Sequence, residues 1–317
     1  MLMNLNRTES FEKTFLALGT VNVISAYGKN SRQAVAAACE RVLEIHGRMS
    51  VYEKDSDAAR INENSGLEAQ KIHPDTFFLL KRSLEFSELS GGAFDITARP
   101  LTRLWGFRKK RNHVPSKDEI ERVLPLVNYR DLFLDERRCT AYLRKAGQCI
   151  DLGGIAKGYA ADEVRRILLQ HKVSNALINL GGNIAAMGLR EDGMPWQIGI
   201  QNPLSARGEY IGTIEAADQT IVTSGSNEQF FIRDGVRYHH IIDPRTGCPA
   251  DSGLLSVTAI CRDSADADAL TTAIFVAGIS ESVNMLKSAD AQAIFVTESK
   301  DLFLTDGLRN KFKRSYS

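Results

Sequence analysis

Apolar positions recur along this chain with two spacings, and the changes of spacing mark its elements. From Lys13 to Tyr27, Phe, Leu, Val and Ile are dense and are interrupted once, at Gly19-Thr20, which predicts a strand pair or one long bent strand. Ser31 opens a helix on which Val35, Cys39, Val42 and His46 fall three or four residues apart on one face. A histidine on such a face is a core or boundary residue before it is a ligand. Pro74 and Asp75 start a second helix, with Phe77, Leu80 and Leu84 as its stripe and Gly91-Gly92 as its stop. Ser116-Lys-Asp-Glu119 is a capping box that opens a short third helix.

Beyond Cys149 short apolar runs alternate with glycine clusters. Asp151–Gly158 leads into a helix through about Gln170. Asn175–Ile184 reads as a buried strand ending in Gly181-Gly182. Trp196–Ile200, Tyr210–Val222, Arg237–Ile242 and Leu254–Cys261 are further strand candidates. Ala265–Gly278 is a helix, and Gln292–Leu304 contains at least one strand pair. Strands that arrive in runs, with helices between the groups, predict an α+β fold rather than a regularly alternating parallel sheet. There is no fixed-period repeat and no low-complexity linker, so two interlocked subdomains are expected. Residues 1–12 form an extension, 13–310 the domain and 311–317 a basic tail.

Composition narrows the function by exclusion. The 317 residues carry 40 basic and 39 acidic side chains, a net charge of +1, which disfavours a broad phosphate-tracking surface and hence bulk nucleic-acid binding. The one dense basic run, Arg108-Lys-Lys-Arg111, reads as a solvated loop or a phosphate contact. Five cysteines, none at CxxC spacing, support neither a structural zinc site nor a disulfide framework. The first ten residues lack the apolar stretch of a signal peptide, and the longest apolar runs, such as Thr271–Ile279, are far short of the ~20 residues of a membrane span. A cytoplasmic protein without a membrane segment is expected.

Three segments concentrate the chemistry. Asp151-Leu-Gly-Gly-Ile-Ala-Lys-Gly158 sits where a loop becomes a helix; its glycines admit close backbone approach, helix-start N–H groups attract anions, and Lys157 adds a compact charge. It is neither a Walker A nor a GxGxxG motif, and the same residues would equally make a tight turn with a surface lysine. Asp268 and Thr272, four apart on an otherwise apolar helix, offer hard oxygens on one face, which suits Mg²⁺ completed by water and phosphate. A helix-dipole partner, with Asp263 and Asp266 as similar solvated acids, is the competing reading. In Tyr238-His239-His240-Ile-Ile-Asp243-Pro-Arg245-Thr-Gly247 a strand runs into a tight turn; neighbouring histidines on a strand face opposite ways, so one of the two faces a cleft as an acid–base group.

The order of these motifs, with Leu18-Gly19-Thr20, Met49-Ser50-x-Tyr52, Gly92-Ala-Phe94-Asp95-Ile-Thr97, Leu104-Trp105-Gly106, Asn179-Leu-Gly-Gly182-Asn183 and Thr223-Ser-Gly225, resembles the ApbE flavin transferases over essentially the whole chain. The resemblance implies a T-fold-related architecture of mainly antiparallel sheets with packed helices. It implies Mg²⁺-dependent transfer of FMN from FAD to a Thr or Ser hydroxyl of a target flavoprotein, with release of AMP. Targets in the family carry Asp-x-x-(Ser/Thr)-Gly-Ala-(Ser/Thr), which does not occur in this chain. By the same resemblance, Mg²⁺ ligands fall on Asp268, Thr272 and a carbonyl at or near Gly154, and FAD contacts on Leu18, Tyr52, Ala93, Phe94, Asp95, Asp151, Lys157, Ile241 and Ile242. His240 takes the position of the proton-transfer histidine. Two positions depart from the family pattern: Leu18 stands where Met is usual, and Asn227 where an aromatic is common. An FAD pyrophosphatase and a non-catalytic flavin carrier are the alternatives.

Overall fold

The computed structural model describes residues 9–107 and 112–315, so the basic run at 108–111 lies outside the described residues. Ser10–Ala17 (β1) and Thr20–Tyr27 (β2) form an antiparallel hairpin, a strand pair rather than one bent strand. Its two-residue turn is Leu18 (φ 54°) and Gly19 (φ 72°), the left-handed pair that follows the natural twist of a hairpin. The α+β expectation holds throughout.

On the connections between β2 and the second half of the chain lie α1 (Ser31–Met49), α2 (Asp57–Glu63), β3 (Gln70–Lys71), α3 (Pro74–Leu89), α4 (Arg99–Trp105) and α5 (Lys117–Val123). β4 (Leu132–Asp135) and β5 (Thr140–Leu143) follow, and β3, β5 and β4 pair as a small antiparallel sheet. The capping box of α5 is present: the Ser116 hydroxyl accepts from Glu119 N–H, and the Glu119 carboxylate accepts from Ser116 N–H. The stripe of α3 is rotated from the expected one. Thr76, Leu79, Leu80, Ser83, Phe86 and Ser87 are fully buried, because hydroxyls that bond back to the helix, such as Ser83 to Leu79 O, are tolerated inside. Phe77 and Leu84 pack only partly against the core.

The second half supplies α6 (Ala156–Gln170), β6 (Asn175–Leu180), β7 (Asn183–Met187), β8 (Trp196–Gln201), β9 (Tyr210–Ala216), β10 (Gln219–Gly225), β11 (Phe230–Arg233), β12 (Val236–His239) and β13 (Leu254–Cys261). It ends with α7 (Ser264–Ala277), α8 (Ile279–Ser288), β14 (Gln292–Thr297), β15 (Leu302–Leu304) and β16 (Phe312–Arg314). The expected strand Tyr210–Val222 is two strands, broken at Asp218 (φ 51°), and the strand into the Asp243 turn stops at His239. β1 begins inside the expected extension and β16 lies inside the expected tail, so both flanks contribute strand residues.

Eight strands build the central sheet in the order β1-β2-β6-β7-β10-β13-β14-β15, each pair antiparallel. All eight residues of β13 are buried, and the alternation of a strand divides them between two layers. Val257, Ala259 and Cys261 join the core beneath α1, α6 and α7, whereas Ile260 packs with Trp196, Ile198, Ile214 and Phe312 of a second sheet, β16-β9-β8. A third cluster, Leu101, Trp105, Phe231 and Ile242, fixes the β11–β12 hairpin to α4, with the Trp105 indole donating to Gly247 O at 2.8 Å. No helix among the described residues is long and apolar enough to cross a membrane.

Candidate active site

The start of α6 is built by two close approaches. A Cβ on Gly158 would lie 2.0 Å from Ser264 O, so only glycine lets α6 press against the first turn of α7. That contact places Asp268 beside the α6 N-terminus, where its Oδ2 accepts from Gly158 N–H at 3.0 Å. Ile155 at the N-cap has no side chain that can cap, so a carboxylate from the neighbouring helix does so instead, with the favourable sign for the dipole. Asp268 is buried, at 4% exposure, and also accepts from Lys157 Nζ at 3.2 and 3.3 Å. The same ammonium donates to Gly153 O at 2.9 Å. Lys157 is therefore not a free phosphate-seeking charge; it is held between a carboxylate and a carbonyl.

α7 is itself capped from outside. Asp162 of α6 accepts from Ser264 and Ala265 N–H, both at 2.9 Å, and burial raises its pKa against those bonds. Asp266, expected as a solvated acid, is gripped by the Arg82 guanidinium through both oxygens. Asp263 makes no side-chain cap. One helical turn beyond Asp268, the Thr272 hydroxyl lies beside the Gly154 backbone, since a Cβ on Gly154 would meet its Oγ1 at 3.7 Å.

The two histidines part as a strand requires, and the structure decides between them. His239 turns into the core, its Nε2 3.1 Å from Ala250 O and its ring edge-on to Phe275. His240 lines the cleft, its N–H donating to Gln229 O. Burial pushes the His240 pKa down to about 4, with help from His239 and Lys157, and burial lowers that of His239 as well. Both imidazoles are neutral at ordinary pH.

Leu18, Tyr52, Ala93, Phe94, Asp95, Asp151, Gly154, Lys157, His240, Ile241, Ile242, Asp268 and Thr272 all line one cleft of about 1760 Å³. Leu18 and Gly19 reach it from the β1–β2 turn, beside the β6–β7 turn; a Cβ on Gly181 (φ 62°) there would strike Thr20. Asp95 is spent locally: its carboxylate accepts from Thr97 N–H and hydroxyl, both at 2.7 Å, and from Tyr129 N–H at 2.9 Å, while burial raises its pKa. Asp151 accepts from Gly153 N–H and from Arg99. Arg99, which also lies over the Tyr52 ring at 4.9 Å, is a cleft residue that sequence reasoning missed. So are Arg103, Gln201, Arg207, Tyr210, Phe230 and Arg237. Isolated arginines and aromatics on helices and strand edges carry no motif; Pro100, in the first turn of α4, is a helix-start signal that could have been read and was not.

The donor chemistry fits a hard divalent cation. Asp268, the Thr272 hydroxyl and the Gly153–Gly154 carbonyls are oxygen donors, and the Lys157 ammonium already sits on two of them as a monovalent cation would. No group of three or more His, Cys, Asp and Glu side chains is placed to hold a metal among the described residues.

Fold and cleft together define an enzyme of the α+β class. A profile of the ApbE family matches residues 18–295. The FAD:protein FMN transferases of Klebsiella pneumoniae and Treponema pallidum are 36% and 34% identical to this chain, covering 87% and 97% of it and 87% and 90% of their own lengths. The crystal structure of an ApbE protein from Thermotoga maritima superposes with a TM-score of 0.88 at 36% identity, over 97% of this chain and 100% of that one. The Vibrio cholerae flavin transferase ApbE superposes at 0.86 and 27%, over 96% and 99%. The chain belongs to the ApbE family, and it is a transferase.

Proposed function

We propose that this enzyme transfers FMN from FAD to a Thr or Ser hydroxyl of a target flavoprotein, with Mg²⁺, and releases AMP. The observation that carries the reading is the meeting of Asp268, Thr272, Gly154, Lys157 and His240 in the lining of one cleft, in the company of the residues expected to hold FAD. Leu18, Tyr52, Ala93, Phe94, Asp95, Asp151, Lys157, Ile241 and Ile242 would line the cofactor. Asp268, Thr272 and a carbonyl at or near Gly154 would hold the metal. When bound, Mg²⁺ supplies positive charge that neutralises the pyrophosphate and lets a nucleophile approach.

The neutral His240 imidazole takes the proton of the acceptor hydroxyl, a role worth typically 10²–10⁴-fold. As it does so, the hydroxyl oxygen bonds to the FMN phosphorus, and the bond from that phosphorus to the bridging oxygen breaks. AMP leaves with the bridging oxygen as a stable anion. Lys157 lines the same cleft while held on Asp268 and Gly153 O, and water is held off by Phe94, Ile241 and Ile242 of the lining, all buried. The acceptor is expected to carry Asp-x-x-(Ser/Thr)-Gly-Ala-(Ser/Thr).

Incubation with FAD, Mg²⁺ and a protein bearing that motif tests the proposal. Mass spectrometry should show one FMN on the acceptor and AMP in solution, and EDTA should abolish both. AMP without an adduct would assign a pyrophosphatase; intact FAD would leave a carrier.

A further inference from the structure

The two helices that build the site exchange caps at their point of contact. Gly158 of α6 lies against Ser264 and Ala265 of α7, where an added Cβ would come within 2.0 Å of Ser264 O and 2.7 Å of Ala265 Cα. Asp268 stands four residues after Ser264, and Asp162 four residues after Gly158, so each carboxylate sits one turn along its own helix, on the face that meets the other. Asp268 accepts from Gly158 N–H at 3.0 Å, and Asp162 accepts from Ser264 and Ala265 N–H at 2.9 Å each. One member of this pair, Asp268, opens on the cleft; the other, Asp162, is not part of its lining.

Asp162 does for α7 what that helix cannot do for itself. Asp263 at the N-cap makes no side-chain cap, and Ser264 spends its hydroxyl on Thr220 Oγ1 at 2.9 Å. Both capped residues are buried, Ser264 at 0% and Ala265 at 6% exposure, so water has little access to their N–H groups. Losing Asp162 leaves two buried donors without acceptors and loosens the first turn. Arg82 grips the same turn, but only through the Asp266 side chain. Asp268 follows directly on that turn, and Thr272 stands one turn further on. Mg²⁺ demands near-ideal octahedral geometry, so a site built on a shifted turn binds it less well even with every ligand present.

We propose that Asp162 is a positioning residue for the metal site: from outside the cleft it fixes the first turn of α7, and through that turn the placement of Asp268 and Thr272 against the Gly153–Gly154 backbone. The inference rests on the Mg²⁺-dependent reaction proposed above. Its consequence is a defect in cation affinity and not in the chemical step, because His240 and the ligands themselves are untouched.

Mn²⁺ in place of Mg²⁺, followed by EPR on the full-length enzyme with FAD and no acceptor, reads this without turnover. Asp162→Ala should raise the Mn²⁺ Kd about tenfold or more, the size typical of partners one step behind a metal's ligands. With acceptor present and metal raised to saturation, kcat should return to within about threefold of wild type, which separates binding from chemistry. Asp162→Asn keeps an oxygen for one of the two N–H groups and should recover part of the affinity; it carries the same test if the alanine chain does not fold. Asp57→Asn is the control for general loss of stability, since Asp57 is a buried carboxylate outside the cleft lining that accepts from His73 N–H and the Thr76 hydroxyl. It should lower the melting temperature and leave the Mn²⁺ Kd unchanged. An unchanged Kd in the folded Asp162 variants overturns the proposal, as does an equal rise in Asp57→Asn or a kcat that stays low at saturating metal. Wild-type enzyme without a bound Mn²⁺ signal that Asp268→Ala removes overturns the Mg²⁺ reading instead.

Discussion

Asp268 belongs to two helices: it rides on α7 and caps α6 through Gly158 N–H. Replacing it therefore has two separable effects. Asp268→Ala removes the cap, which is worth about 1 kcal/mol, and leaves Lys157 without its carboxylate. Asp268→Asn keeps an oxygen for the cap. Both variants should lose roughly 10²-fold or more in Mg²⁺-dependent transfer, while thermal melts should show the alanine variant the less stable of the two. Wild-type turnover in Asp268→Asn would remove this carboxylate from the metal site. His240 makes a second prediction at this scale. Because burial holds its pKa near 4, the acid limb of kcat/KM should fall near pH 4 and not near the 6.5 of an ordinary histidine. A limb at 6.5 that survives in His240→Gln would assign the titration to another group.

At the scale of elements, the junction of α6 with α7 is the tightest constraint on the site. Gly158→Ala forces a methyl to within 2.0 Å of Ser264 O, so the helices must separate. Overpacking of this kind costs about 1–3 kcal/mol, and here it also carries Asp268 away from Gly158. Melting temperature and transfer activity should fall together. Gly47→Ala, in α1 with no atom within 4 Å of the added Cβ, is the contrasting case: it should raise stability by about 0.5–1 kcal/mol and leave activity unchanged.

This junction also marks how far the sequence can be read. The Asp151–Gly158 turn, the Asp268–Thr272 face and the histidine pair were visible as local patterns, since spacing within an element is a local property. That Gly158 serves helix packing, that Asp162 caps α7 and that Arg82 holds Asp266 were not, because each joins residues about a hundred or more apart. The rotated face of α3 was missed for a different reason: Ser83 and Ser87 spend their hydroxyls on the preceding turn and so behave as small apolar residues. Arg237 and Phe230 escaped notice because a two-stranded hairpin has no periodic signature strong enough to single out one cation.

The whole molecule should respond to acid through its buried histidines. Each has a folded pKa below its unfolded value of about 6.5, so each favours folding fully above that pH. The contribution is lost as pH falls from about 6.5 toward 4, where the unfolded chain takes up protons that the folded chain refuses. Asp95 and Asp162, raised by burial, have the opposite sign, their contribution being present below about pH 4 and lost as pH rises through their folded values. Melting temperatures should therefore drop between pH 6.5 and 4.5, and the drop should be smaller in His239→Asn. An equal drop in that variant would place the titration elsewhere.

The borrowed cap of α6 bears on how the enzyme is made. Synthesis proceeds from the N-terminus, so α6 is complete while the residue that finishes its first turn is still some hundred positions from being joined to the chain. Until Asp268 arrives, Lys157 has no carboxylate and the cleft has no acidic oxygen from α7. A nascent chain that ends before residue 268 should therefore show no transfer activity, which assay of chains truncated before and after α7 would check.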